Sequence, residues 1–315
     1  MFVSCSYLPE SIGKDNEIIV ITSPLDKPFV ERLMNDLFSH VINTPQPELE
    51  FSLHYKNPWE IEKVKKYGNI IIASLDFPQD STGDYLMQRI LATHKKEEPL
   101  FVLGDLYAKN QIICGIQALD AISMENGINN NREWVLHEFR DILKARMRLK
   151  IFKHGDNITL STQVAKMFGY TLDLQPDYKI IKSDSLKPFI WIGRGFPYRW
   201  ITMHKSKKSQ YIKKNEAWNQ LSIEFADLMP QIKIGGDLRS TEKQQYNNKV
   251  QHIMRGVYEH DESDSGGPFF VYIFETSSVN EVILISGFVN YPGHEKILLL
   301  KQLEIIANSI HKGVI

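Results

Sequence analysis

The chain has 315 residues, enough for about two domains and a sizeable buried core. Its 43% hydrophobic and 24% charged residues are a globular composition, and 37 basic against 38 acidic side chains leave a net charge of −1. That balance excludes a global basic field for nucleic acid or an anionic membrane, and the local run from His204 to Lys208, with Lys213 and Lys214, reads as a solvated loop.

No stretch reaches the roughly eighteen apolar residues of a membrane span. The two cysteines, Cys5 and Cys114, form no CxxC pair and cannot build a four-thiolate metal site. Cys114 lies in an apolar run and reads as a small buried hydrophobe; nothing favours a disulfide to Cys5. The opening, Met1-Phe2-Val3-Ser4-Cys5-Ser6, has the form of the end of a lipoprotein signal: apolar residues, a small residue, then the cysteine that takes the lipid. The basic and apolar segments that complete such a signal would have to lie upstream of Met1. The alternative is a cytosolic chain with a chance cysteine.

Residues 6–16 read as a polar tether. A short β-branched run over 17–21 predicts a buried strand, and Pro28 opens a helix with Phe29, Leu33, Leu37 and Val41 at helical spacing. Pro45 and Pro47 forbid its continuation. Alternation predicts a strand over 51–55, an amphipathic helix over 58–66 and a second buried strand over 69–73. A helix over 84–95, strands over 100–103 and 111–118, and a long helix over 131–152 complete a β-α repeat. Beyond a boundary near 154–157 the pattern changes. A helix over 160–168 is followed by strands over 170–174, 178–182, 189–192 and 199–204. Helical patterns occupy 215–233 and 240–257, then come strands over 269–274 and 281–289 and a closing helix over 295–310. The expected organisation is a tether (1–16), an α/β domain (17–153) and an α+β domain (154–315). The expected fold class is α/β plus α+β, with two-layer mixed sheets covered by amphipathic helices and a more antiparallel second half.

The most motif-like segment is Asp264-Ser265-Gly266-Gly267-Pro268, which has the look of a serine-protease nucleophile loop. Ser263 stands where that loop needs a glycine, no histidine-bearing partner segment exists upstream, and the chain is not all-β. A Gly-Gly-Pro turn leading into a strand at Phe269 is the preferred reading. The acidic residues around it, Glu259 to Asp264, lack the spacing of a calcium loop. Gly193-Arg194-Gly195 lacks phosphate-loop spacing, and the ten histidines include no HExxH, so no metal or cofactor is expected. Phe189, Trp191, Phe196, Tyr198 and Trp200, interleaved with Arg194 and Arg199, read as core and surface positions of two strands; the alternative is a platform for sugar rings, a peptide or bases.

Several segments in order carry a resemblance: Gly13 with Glu17-Ile18-Ile19-Val20; Pro45-Gln46-Pro47-Glu48 with Phe51; Asn69-Ile70; Asp105-Leu106-Tyr107-Ala108 with Gln111; Arg255-Gly256, Glu259 and Gly266-Gly267-Pro268-Phe269; and Gly287, Val289, Tyr291-Pro292, Lys296 and Gln302-Leu303-Glu304. Together they resemble a family of predicted lipoproteins from Gram-negative bacteria, defined as a domain of unknown function, over nearly the whole chain. The resemblance implies lipid attachment at Cys5 and brings no catalytic residue. It makes Arg255, Gly256, Glu259, Gly266, Gly267, Pro268 and Phe269 a structural signature. The resulting expectation is an envelope lipoprotein, anchored to the membrane by its lipid, with a non-catalytic binding or structural role toward an envelope ligand or protein and none toward nucleic acid. Its rivals are an envelope hydrolase using Ser265 and a cytosolic interaction protein.

Overall fold

The computed structural model describes residues 8–77, 80–94, 99–211, 213–246, 249–261 and 265–313. They divide into two compact units: residues up to Val41 together with Leu49–Met147, and Ile42–Glu48 together with the chain from Arg148 onward.

In the first unit β1 (Glu17–Ile21) leads to α1 (Lys27–Leu37). The chain then visits the second unit between β2 (Val41–Ile42) and β3 (Glu48–Leu49). It continues through β4 (Ser52–Lys56), α2 (Ile61–Val64), β5 (Asn69–Leu75), α3 (Ser81–His94), β6 (Leu100–Gly104), β7 (Ile112–Ala118), α4 (Ala121–Asn130) and α5 (Arg132–Ile151). The sheet order is β4-β1-β5-β7-β6; β1 is parallel to β4 and β5, β5 is parallel to β7, and β6 is antiparallel to β7. Ile19, Ile21, Ile70, Ile72 and Ile113 face α2 and α3. The alternate residues Ile18, Val20, Ile71 and Ala73 are equally buried, so the strands are apolar throughout, as a sheet covered on both faces requires. Cys114 is fully buried in β7, and burial pushes its thiol up to about 12, which makes it an inert packing residue.

The second unit holds α6 (Ile158–Phe168), β8 (Tyr170–Thr171), β9 (Lys179–Asp184), β10 (Phe189–Arg194), β11 (Tyr198–Lys207), α7 (Lys214–Leu228), β12 (Ile232–Ile234), β13 (Ser240–Tyr246), β14 (Lys249–His260), β15 (Ser265–Glu275), β16 (Glu281–Asn290), α8 (Ile297–Ala307) and β17 (His311–Lys312). Its main sheet is antiparallel in the order β12-β14-β15-β16-β11-β10-β9, with β13 sharing the β12 edge of β14. Ile201, Phe270, Ile283 and Ile285 pack under α6 and α8, and Phe189, Phe269, Val271 and Phe288 pack under α7. The chain is thus α/β followed by a more antiparallel α+β unit, as the sequence predicts.

Four local expectations differ from the structure. The helical pattern over 240–257 is the β13–β14 hairpin. Ile253, Met254 and Tyr258 are all buried, because β14 lies between covered faces and loses the one-sided alternation of a half-exposed strand. The helix after Pro28 stops at Leu37, and α4 lies where no element was predicted. Finally, Gly266, Gly267 and Pro268 are not a turn ahead of the strand. They are inside β15, paired with Glu259, Tyr258 and Val257.

Candidate functional site

The segment around Ser265 sits at the end of the large sheet. A Cβ on Gly266 would lie 2.3 Å from the Tyr258 carbonyl oxygen, and one on Gly267 2.0 Å from that of Val289. The two glycines therefore let three backbones crowd together, a role of close approach rather than of turn-making. Pro268 pairs with Val257 of β14, and the ladder pairing of β15 with β16 begins at Phe269, so the missing N–H is not needed there. Phe269 is buried and stacks on Phe288 with ring centroids 5.6 Å apart. Ser265 stands opposite His260 in the ladder, and its Oγ accepts a hydrogen bond from Asn290 Nδ2 at 2.9 Å. The His260 Nδ1 is shielded from solvent and has no hydrogen-bond partner. Asp264 and Cys5 lie outside the described residues. Glu259 is exposed, and Asp261 pairs with Lys233 at 2.7 Å. Among the described residues no group of three or more His, Cys, Asp or Glu side chains converges.

The aromatic set separates by face. Phe189 and Trp191 are core, whereas Phe196 and Tyr198 are 64% and 44% exposed. Arg199 is buried and bonds to Gln302 of α8, on the opposite face, and Arg194 pairs with Asp177 at 2.6 Å. With exposed His294 and half-buried Tyr291, Trp200 and His260, the rings of Phe196 and Tyr198 form a continuous row. His294 stacks on Tyr291 at 4.2 Å, Tyr291 meets Phe196 at 5.3 Å, Phe196 meets Tyr198 at 5.7 Å, Tyr198 meets Trp200 at 6.2 Å, and Trp200 meets His260 at 6.1 Å. Gly193 lies opposite Trp200, and a Cβ there would come within 2.5 Å of the indole, so the glycine sets how Trp200 lies on β10. Asn290 is the register partner of Tyr198. The row therefore ends among Asn290, Ser265 and His260: ring faces beside hydrogen-bonding side chains. Tyr291 and His294 were not singled out as aromatic positions in the sequence. They follow β16 in the chain, remote from 189–200, and only the sheet order brings them together.

Other signature positions are clasps inside the second unit. Arg255 on β14 and Glu304 on α8 are both nearly buried and pair at 2.5 Å, with Lys301 at 3.3 Å from the same carboxylate. Burial alone would raise Glu304, but Arg255 and Lys301 outweigh it and hold the carboxyl below its ordinary value. Gly256 lies under Phe269 and Trp218. Glu48 reaches the start of α8 and accepts from the N–H groups of Lys296 and Ile297, both at 2.8 Å.

A second polar cluster pins α7. Glu224 accepts from Ser206 at 2.5 Å, from Gln220 at 2.8 Å and from Tyr211, and it contacts His204 Nε2 at 2.9 Å. Ser206 spends its proton on the carboxylate rather than on His204, so the set lacks the serine–base hydrogen bond of a nucleophile. The adjoining hollow of ≈ 340 Å³ is lined by Lys205, Ser206, Lys207, Gln210, Asn280 and Glu281, and its Lys205 is already paired with Glu281 at 3.1 Å.

Residues 11–151 match the family model described as Domain of unknown function (DUF8532), and residues 157–309 match Domain of unknown function (DUF4837). The two matches are consecutive and together span most of the chain. No curated protein matches. Similar solved structures include a 1.50 Å crystal structure from Bacteroides thetaiotaomicron VPI-5482, with 10% identity, 46% of this chain and 45% of that chain covered, and a TM-score of 0.29. Another is LpqN of Mycobacterium tuberculosis, described as involved in cell envelope biogenesis, with 12% identity, 45% of this chain and 81% of that chain covered, and a TM-score of 0.28. This chain therefore spans less than half the length of the first.

Proposed function

We propose that the protein is an envelope lipoprotein, lipid-modified at Cys5, whose folded body binds its ligand without transforming it. The observation that carries the binding role is the ring row from His294 to His260, exposed at Phe196, Tyr198 and His294 and ending beside Asn290 and Ser265. Ring faces take the C–H face of a flat, amphipathic ligand, and the hydrogen-bonding side chains take its hydroxyl rim. A saccharide has that chemistry. The anchor rests on the sequence Val3-Ser4-Cys5 and on the family resemblance.

Two measurements test the reading. In the native cell, a palmitate analogue labels the wild-type chain and not Cys5→Ser; an unlabelled wild type sinks the anchor. On a glycan array, the folded chain retains a saccharide, and Tyr198→Ala and Phe196→Ala weaken binding by about tenfold, the size of one lost contact of about 1.4 kcal/mol. Variants that bind as well as wild type sink the ring row. The placement of His260 opposite Ser265 favours one second reading, hydrolysis at Ser265. An esterase or peptidase activity that Ser265→Ala abolishes with the fold intact would establish it.

A further inference from the structure

The first unit holds a set of oxygen atoms that neither the ring row nor the lipid uses. After β1 the chain turns to α1 and on to β4 on one side. After β5 it turns to α3 and on to β6 and then β7 on the other. The gap between the carboxyl ends of β1 and β5 is therefore the switch point of the sheet, where open α/β sheets bind ligands. Thr22, Ser23 and Asp26 follow β1, Ser74 is the last residue but one of β5, Asp80 precedes α3 and Gly83 lies in its first turn. Asp26 is 1% exposed; its Oδ2 accepts the Leu75 N–H at 3.1 Å, and its Oδ1 has no partner. Ser74 Oγ and Thr22 Oγ1 are buried and likewise unpartnered. A Cβ on Gly83 would sit 3.2 Å from Ser74 Oγ and 3.8 Å from Asp26 Oδ2, so the missing side chain leaves open the space these oxygens border. The Ser23 hydroxyl stands within hydrogen-bonding reach of both Asp26 and Asp80.

The geometry points to a cation site: a partly hydrated divalent ion of the Mg²⁺ or Mn²⁺ class, held by Asp26 and Ser74 and faced by Asp80 across Ser23. Every available donor is oxygen, which selects a hard cation, and Mg²⁺ is commonly held by one or two carboxylates with waters completing its shell. An anion is disfavoured, because two carboxylates face the gap and Asp80 already takes the Thr82 N–H at 2.8 Å at the start of α3. Among the described residues no Lys or Arg pairs with Asp26, and a buried carboxylate without a counter-charge is costly. A bound cation removes that cost.

The test uses the full chain freed of metal with a chelator, titrated with MnCl2 by electron paramagnetic resonance, with MgCl2 and CaCl2 as competitors. The expected result is one bound Mn²⁺ per chain, displaced by Mg²⁺, and a rise in Tm on adding either ion. Asp26→Asn keeps an acceptor for Leu75 and should weaken Mn²⁺ by about tenfold or more. Gly83→Ala places a methyl 3.2 Å from Ser74 Oγ, leaves both ligand side chains in place and should do the same by crowding the ion. Leu186→Ala, at an exposed position of the other unit, should bind Mn²⁺ as wild type. A wild type that binds no Mn²⁺ at millimolar concentration, with water alone in the gap, overturns the site. Equal binding by wild type and Gly83→Ala also overturns it, and that variant decides the matter if Asp26→Asn does not fold. None of these outcomes bears on saccharide binding at the ring row.

Discussion

Gly267 and Ser265 are two residues apart in β15 and should answer substitution in opposite ways. Valine at 267 places its Cβ against the Val289 carbonyl oxygen at 2.0 Å, backbone that cannot move aside without parting β15 from β16. Gly267→Val should therefore lower stability by about 1–3 kcal/mol or more, read as a shift in the urea midpoint at unchanged slope. Ser265→Ala removes one hydrogen bond at a half-buried position and should cost no more than about 1 kcal/mol in the same experiment. The pair of glycines was legible in the sequence; their role was not. A glycine needed for a left-handed turn and one needed for close approach are the same letter, and only the register of Gly266 and Gly267 against β14 tells them apart.

Helix α8 is fastened to the sheet by charge as well as by Leu300, Leu303 and Ile306. Removing Arg255 leaves the buried Glu304 with its nearer counter-charge gone and Lys301 remaining, so Arg255→Met should cost about 3 kcal/mol, and the double variant with Glu304→Leu should recover most of it. The same pair sets a pH dependence. The Glu304 pKa is lower in the folded than in the unfolded chain, so the folded state binds its proton less readily. Its contribution is full above the ordinary carboxyl value of 4.5 and is lost as pH falls through the folded value. Urea midpoints should therefore fall from about pH 5 downward, and less steeply in Glu304→Gln. At this scale the sequence read well where burial has one period. The apolar runs of β1 and β5 and the spacing of α6 and α8 predict the observed elements within a few residues. It failed at β14, whose burial on two faces imitates a helix, and α4 went unpredicted between β7 and α5.

At the scale of the whole molecule, the sequence expects a cut near residue 154, and the family models meet between 151 and 157. The compact units are not two consecutive stretches. Ile42–Glu48 belongs to the second unit although it lies within the first in sequence, and the main division falls at Met147, inside α5. Such a detour leaves no compositional mark, because seven residues with two prolines read as an ordinary loop. Its consequence is energetic. The Glu48 carboxylate accepts from the N–H groups of Lys296 and Ile297, filling the place of an N-cap at α8, whose own N-cap residue, Lys296, offers no side-chain acceptor. Loss of such a cap costs about 0.5–2 kcal/mol. Glu48→Ala in the full chain should therefore lower stability by that amount, and a fragment of residues 154–315, which leaves Glu48 behind, should be destabilised by at least as much. A free peptide spanning residues 40–50 should raise the fragment's Tm when added in excess, whereas the same peptide carrying Glu48→Ala should not. Equal effects of the two peptides would place the stabilisation in Ile42 and its apolar neighbours rather than in the carboxylate at the start of α8.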